Sequence, residues 1–270
     1  MRVPRSLLFV PGGRADMVAK VPRSSPDAVA VDLEDAVAPG DKDAARATAV
    51  EAVAALPGSA TLVLIRVNAP GTPWYDADVA AVASSAADGV VLPKLEDPAQ
   101  LADLARRIGD RVVVAGLETG RGVARARELL GGPSLLAAYF GAEDYIASVG
   151  GRRSASSREV LYARSETLLA TRLAGVGALD QTVVNVRDTD LFRADAAEGR
   201  DLGYDGKICI HPAQVALAHE VFTPSDEEVA HARKVVGAAR SGVGVVDGEM
   251  VDDVHVRMAA AVLSRAGVQA

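Results

Sequence analysis

The chain has a single cysteine, Cys209, among 270 residues. That excludes an intramolecular disulfide framework and a cysteine-cluster zinc site. Basic residues are in the minority: 29 Lys and Arg stand against 36 Asp and Glu, a formal net charge of −7. With no basic stripe to neutralise phosphates, nucleic-acid binding is not expected. Long apolar runs are missing as well, and none approaches the roughly 20 residues that span a bilayer. The opening MRVPRSLLFVPGG has too short an apolar stretch for a signal peptide, so a cytoplasmic globular protein is expected. No G-x-G-x-x-G or Walker sequence occurs, which removes the usual phosphate-binding turns.

Short β-branched runs recur, each bounded by Gly, Pro or a charge: SLLFV (6–10), AVAVDL (28–33), TLVLIRV (61–67) and GVVLP (89–93). VVVAGL (112–117), LLAAYF (135–140), QTVVNV (181–186) and KICI (207–210) complete a set of eight. Stretches with helical spacing lie between them. Asp41 and Asp97 stand at N-cap positions, and Pro98 suits a first helical turn. Apolar strands alternating with amphipathic helices imply parallel strands covered by helices. Eight units in this length match an α/β fold of the (β/α)₈ TIM-barrel type. A doubly wound sheet is the rival, but PGGRAD follows the first strand where that fold usually carries a glycine-rich phosphate turn. The barrel is read over 1–222. Residues 223–270 form a C-terminal helical extension, with helices at 226–240 and 254–265 around a glycine-rich acidic segment and too little length for a core of its own.

Polar residues gather just after the strands: Glu34 and Asp35, Arg66 with Asn68, Lys94, Glu118, and Glu143 and Asp144, while Lys207 and His211 bracket the eighth. From Glu34 through Arg66, Lys94, Glu118 and Asp144 the spacings are 32, 28, 24 and 26 residues, about one βα unit each. A barrel places them on one rim, where its active site lies. Glu118 and Asp144 offer hard oxygens with no His or Cys nearby, which suits Mg²⁺. Arg66 offers a planar fork for a carboxylate or a developing oxyanion. A metal and a guanidinium facing one carbonyl would stabilise an alkoxide or enolate. The alternative is simple ion pairing of these acids with Arg66 and Lys94.

VDLEDAV, RVNAP, LPK, LETGRGV, GAEDY, DGKICIHPAQV and GEMVDD occur in that order. In these motifs the chain resembles the citrate lyase β-subunit-like (CitE-like) proteins of the HpcH/HpaI aldolase superfamily, over nearly its whole length. The resemblance implies a (β/α)₈ barrel assembled as trimers or hexamers, with Mg²⁺ held by the carboxylates matching Glu118 and Asp144. It places Arg66 on the substrate carbonyl, and the backbone of Gly141, Ala142 and Glu143 on the keto-acid carboxylate. Glu34 and Asp35 match acids that hold metal-bound water. Lys94 either joins that polar network or neutralises it. Arg14 and Lys20 match basic positions that meet CoA phosphates. Asp252 matches an acid, supplied by the C-terminal segment of a neighbouring subunit, that moves the proton at the enolate carbon. Val254 stands where the family pattern has a proline, which implies a less rigid segment.

The activity implied is Mg²⁺-dependent retro-Claisen cleavage of a malyl-, citramalyl- or 3-hydroxy-3-methylglutaryl-CoA type thioester to acetyl-CoA and an α-keto acid. The alternatives are condensation of acetyl-CoA with glyoxylate followed by thioester hydrolysis, a citryl-carrier-protein lyase subunit, and a non-catalytic acyl-CoA-binding barrel. Of the remaining residues, His211 is expected to start a helix, and Cys209 to be an inert strand thiol. His219, His231 and His255 look incidental. Trp74 either packs on substrate or caps the barrel.

Overall fold

The computed structural model describes residues 2–57, 61–132, 134–238 and 243–268. Eight parallel strands close into a barrel in sequence order: β1 (Ser6–Pro11), β2 (Ala28–Asp32), β3 (Leu62–Arg66), β4 (Gly89–Leu92), β5 (Val112–Leu117), β6 (Leu135–Phe140), β7 (Gly177–Asp180) and β8 (Gly206–Cys209). Helices follow the strands. They are α1 (Ala15–Val18), α2 (Lys42–Ala54), α3 (Tyr75–Ala83), α4 (Pro98–Ile108), α5 (Gly120–Ala124), α6 (Ala126–Leu129), α7 (Ala142–Ser148), α8 (Arg158–Ala174), α9 (Thr189–Leu202) and α10 (Pro212–Phe222). This is the (β/α)₈ barrel read from the sequence.

Local chemistry accounts for the elements where the sequence was followed closely. Asp97 caps α4 by accepting from the Ala99 amide at 2.8 Å, Gln100 completes a capping box, and Pro98 occupies the first turn. Asp41 holds the N-cap position of α2, but its side chain makes no capping bond, contrary to expectation.

Two other expectations need correction. QTVVNV is not the seventh strand; Gly177–Asp180 is, and 181–186 belongs to the loop beyond it. A β-branched run outweighed GALD in the sequence, whereas tertiary pairing with β6 and β8 selects the shorter segment. The C-terminal extension, in turn, has a small core of its own.

The chain divides into two compact units, residues 1–219 and 220–270. In the second, α11 (Asp226–Ala238) and α12 (Asp253–Arg265) accompany a hairpin of β9 (Gly244–Val246) and β10 (Glu249–Val251). Ala232, Val235, Val246, Val251, Ala259 and Leu263 pack together there. Asp247 and Gly248 take positive φ at the turn, the pairing that two-residue hairpins favour. Residues 239 and 240, included in the sequence-based helix, lie outside those described. No described helix is long and apolar enough to cross a membrane.

Side-chain parity then sorts each strand. Leu7, Ala28, Ala30, Leu64, Val91, Val114, Ala137, Tyr139, Leu179 and Ile208 fill the barrel interior. Period-two alternation continued past these positions brings Asp32, Arg66 and Glu118 inward at the C-terminal ends of β2, β3 and β5. The opposite parity sends Asp180 and Lys207 outward beneath the helices. Lys207, expected on the rim, is instead fully buried. Its ammonium meets Asp180 at 3.0 Å and also bonds Asp195. Arg164 forks onto Asp180 at 2.8 and 2.7 Å and reaches Glu198 at 2.7 Å. Removing one member of such a network strands a buried charge. Lys207→Met should therefore destabilise the protein by about 3–5 kcal/mol, measured by urea denaturation. A loss below about 1 kcal/mol would show that the network contributes little.

Candidate active site

The polar residues at the C-terminal ends of the strands surround a cavity of about 390 Å³. Phe9, Asp32, Asp35, Arg66, Glu118, Tyr139, Gly141, Ala142, Glu143 and Asp144 line it, together with Thr182 and Ile208. Arg66 is buried. Its Nε and Nη2 fork onto Asp32 at 2.6 and 2.7 Å, its Nη1 lies 3.1 Å from Glu34 Oε2, and its Nη2 lies 3.4 Å from Asp35. The Phe9 ring supports the guanidinium 4.8 Å away. Burial works against this cation, but Asp32 overrides it and holds Arg66 firmly protonated.

Glu118 lies at the centre, 2% exposed. The Tyr139 hydroxyl and the Lys94 amide (3.2 Å) both donate to its Oε1. Two glycines make room for it. A Cβ at Gly116 would come within 2.1 Å of Glu118 Oε1, and one at Gly141 within 2.5 Å of its Cγ. Burial, and then the charge of Glu34, push Glu118 up to about 7. Burial and the adjacent Glu118 raise Tyr139 well above the usual phenol range, so it serves as a donor.

Lys94 ties the rim together from a left-handed backbone position, φ +49°. A lysine held there indicates that its surroundings enforce the geometry. The ammonium donates to Glu34 at 2.7 Å and lies 3.4 Å from Asp144 and 3.7 Å from Asp35. Burial opposes its charge, yet Glu34 keeps it above the usual lysine range. Glu34, buried with its charge in a poor dielectric, is raised in turn.

The structure thus gathers Glu34, Asp35, Arg66, Lys94, Glu118, Glu143 and Asp144 as the spacing implied. Asp32 and Tyr139 were missed; each is a polar residue at the inward parity of an apolar strand. Thr182 was missed as well, hidden in the misread QTVVNV run. Its Oγ1 is buried without a hydrogen-bond partner on the cavity wall.

Other expected residues take different places. Asn68 spends its amides on Asp78 of α3, at 2.9 and 2.6 Å. The Gly141 N–H goes to Leu117 O at 3.1 Å, so Gly141 gives space rather than a donor. No side chain caps α7, which leaves the amides of Ala142 and Glu143 at the cavity. Arg14 and Lys20 are exposed and both pair with Asp16, at 2.8 and 3.1 Å. His211 starts α10 by accepting from the Ala213 amide. Cys209 is buried, its thiol pushed up to about 12. His219 is not incidental: its Nε2 is 2.9 Å from Ser6 Oγ and 3.4 Å from Asp27. Trp74 covers the Lys42 ammonium at 5.3 Å.

Within the second unit, Asp252 caps α12. It accepts from the Val254 amide at 2.9 Å and sits 2.8 Å from His255 Nδ1, whose hydrogen bond lowers its pKa. A proline at 254 could not donate that bond, so valine firms the segment instead of loosening it.

The donor set fits a hard dication. Five carboxylates (Asp32, Glu34, Asp35, Glu118 and Asp144) face the cations Arg66 and Lys94, and the buried Glu34 Oε2 has the Arg66 ion pair at 3.1 Å but no hydrogen bond. Among the described residues no His or Cys lines the cavity. Among the described residues no group of three or more such ligands forms a ready cage. Two carboxylates with water and substrate oxygens is a normal Mg²⁺ environment.

The match to known proteins agrees with this geometry. Residues 5–212 match the HpcH/HpaI aldolase/citrate lyase family model. The chain belongs to that family. It is accordingly a carbon–carbon lyase with the CitE-like barrel. It is 48% identical to a citrate lyase subunit beta-like protein of Deinococcus radiodurans, with 96% of each chain covered. It is 33% identical to a (3S)-malyl-CoA thioesterase of Cereibacter sphaeroides, over 97% of this chain and 94% of that one. Among solved structures, CitE of Mycobacterium tuberculosis in complex with magnesium, acetoacetate and coenzyme A superposes with a TM-score of 0.86 at 35% identity, covering 97% of this chain and 98% of that one.

A raised carboxyl has a definite signature. Free Glu118 keeps a proton between pH 4.5 and about 7 that the unfolded chain has released. Its contribution therefore favours the fold below pH 4.5 and is lost as pH rises through 7. A bound dication favours the ionised form and reverses that loss. In scanning calorimetry, MgCl₂ in place of EDTA should raise Tm more at pH 8 than at pH 5.5. An equal Mg²⁺ shift at both would contradict the assignment.

Proposed function

We propose that this protein is a Mg²⁺-dependent lyase that cleaves a short β-hydroxyacyl-CoA, of malyl-, citramalyl- or 3-hydroxy-3-methylglutaryl-CoA type, to acetyl-CoA and an α-keto acid. The observation that carries this reading is the cavity of surplus carboxylates in which Glu118 and Asp144 stand beside the Arg66 fork. Glu118 and Asp144 would hold Mg²⁺, which when bound supplies Lewis-acid polarisation of the keto oxygen. Arg66, fixed by Asp32, presents its guanidinium edge to the same oxygen and stabilises the charge that develops there. The amides of Ala142 and Glu143 receive the keto-acid carboxylate. Lys94 holds Glu34 and Asp144 in place, and Glu34 with Asp35 orders water.

In cleavage the β-hydroxyl passes its proton through ordered water to the ionised Asp252 carboxylate, its oxygen becomes the keto oxygen as the C–C bond breaks, and the electron pair of that bond becomes the thioester enolate. That enolate carbon takes a proton from Asp252 of a second copy of this chain, so the protein works as an oligomer. Arg14 and Lys20 meet the CoA phosphates. This placement of Asp252 follows the family resemblance, and its capped position by His255 gives it a defined orientation. A second reading is favoured by the malyl-CoA thioesterase relative. In it the same residues run the condensation, and water then releases the acid.

The test is acetyl-CoA release from the three thioesters with Mg²⁺ and with EDTA. One should be cleaved, and EDTA should abolish the reaction. Free malate or citramalate formed from acetyl-CoA plus the keto acid would instead favour the second reading. Glu118→Ala should lose both turnover and the Mg²⁺-dependent rise in Tm; activity retained in that variant would overturn the proposal. Asp252→Asn should lower kcat about 10²–10⁴-fold with little change in KM. An unchanged kcat would remove Asp252 from the chemistry.

A further inference from the structure

A buried lysine needs an explanation, because an ammonium leaves water only where all its donors are satisfied. Lys42, the first residue of α2, is 6% exposed. Its Nζ donates to Leu33 O at 2.7 Å and to Glu34 O at 2.6 Å, and the Trp74 ring covers it from 5.3 Å. Two carbonyls and an aromatic face thus take up its donor directions. No carboxylate hydrogen-bonds to it, although Asp32, Glu34, Asp78 and Asp35 all favour its charge against the burial that lowers its pKa.

The two carbonyls belong to the turn after β2 that carries Glu34 and Asp35. The same turn is held from its other side by Asp32, whose carboxylate accepts the amides of Glu34 at 2.8 Å and Ala36 at 3.1 Å. Asp32 also carries the Arg66 fork. The turn is therefore clamped through its amides by an anion and through its carbonyls by a cation. The Glu34 side chain it presents touches Arg66 and Lys94, and Lys94 in turn touches Asp144.

We propose that Lys42 is a positioning residue of the active site. Through the Leu33 and Glu34 carbonyls, with Trp74 as its cover, it fixes the turn whose acids complete the dication environment. This rests on the Mg²⁺ reading of Glu118 and Asp144. Lys42 itself touches neither metal nor substrate.

The experiment is calorimetric titration of MgCl₂ into the wild-type protein and three variants, with Tm recorded for each. Lys42→Met keeps the length of the side chain and removes its donors. It should raise the Mg²⁺ Kd about tenfold or more, in the range seen when groups supporting metal ligands are lost. Val53→Ala trims a buried residue on the same helix and should lower Tm while leaving Kd within twofold of wild type. That comparison separates positioning from general loosening of α2. A Lys42→Met Kd within twofold of wild type would overturn the proposal. If Lys42→Met does not fold, Lys42→Gln decides, since the shorter neutral amide keeps a polar end but cannot hold both carbonyls as the ammonium does. A raised Kd in Lys42→Gln supports the clamp, and an unchanged one rejects it. A wild type that binds no Mg²⁺ would fail the metal reading and take this proposal with it. Wild-type binding with an unchanged variant would fail the Lys42 assignment alone.

Discussion

The carboxylate of Glu118, buried at the end of β5, is the constraint around which the rest of the site is arranged. Taking a carboxylate out of water is unfavourable unless donors or a cation replace the solvent. Among the described residues a phenol and one amide donate to Glu118, both on the same oxygen. Its two nearby cations are shared among four further acids. The protein groups alone leave negative charge in excess, and burial raises Glu118 accordingly. A site built this way is incomplete by design of its charges, and a small hard dication supplies what is missing. The glycines at 116 and 141 belong to the same constraint, because any side chain there would occupy the space of the carboxylate.

Much of the architecture was legible because period-two alternation and βα spacing are local signals. Seven of the eight strands coincide closely with apolar runs, and capping at Asp97 follows from residue type alone. The seventh strand was hidden because GALD carries no β-branched residue and its neighbour QTVVNV does. The pairing of β7 with both β6 and β8 is a non-local fact that composition does not encode. The hairpin in the C-terminal unit is readable in principle: an Asp-Gly dipeptide with Val245 and Val246 before it and Met250 and Val251 shortly after it is a strong short-range turn signal. The acidic residues of the segment mask that signal.

The site divides along similar lines. The acids and cations after each strand were found from spacing, since one βα unit returns the chain to the same rim. Asp32, Tyr139 and Thr182 escaped because they lie at the ends of, or just past, apolar strands, where a polar residue reads as a boundary. Lys207 was misplaced for the converse reason: it follows the pattern of a rim charge but has outward parity. Lys42 gave no sequence signal beyond a helix-starting lysine. Its importance appears only when the carbonyls it meets, and the turn they belong to, are seen together.

The central claim is that the surplus carboxylates are organised for one dication at Glu118 and Asp144. The most direct measurement is anomalous diffraction from crystals grown with Mn²⁺ in place of Mg²⁺. A single strong peak is expected in the barrel cavity at about 2.0–2.3 Å from a Glu118 oxygen and an Asp144 oxygen, the range of hard-cation contacts. A cavity without metal, or a Mn²⁺ ion bound elsewhere while Lys94 stays on Asp144, would contradict it.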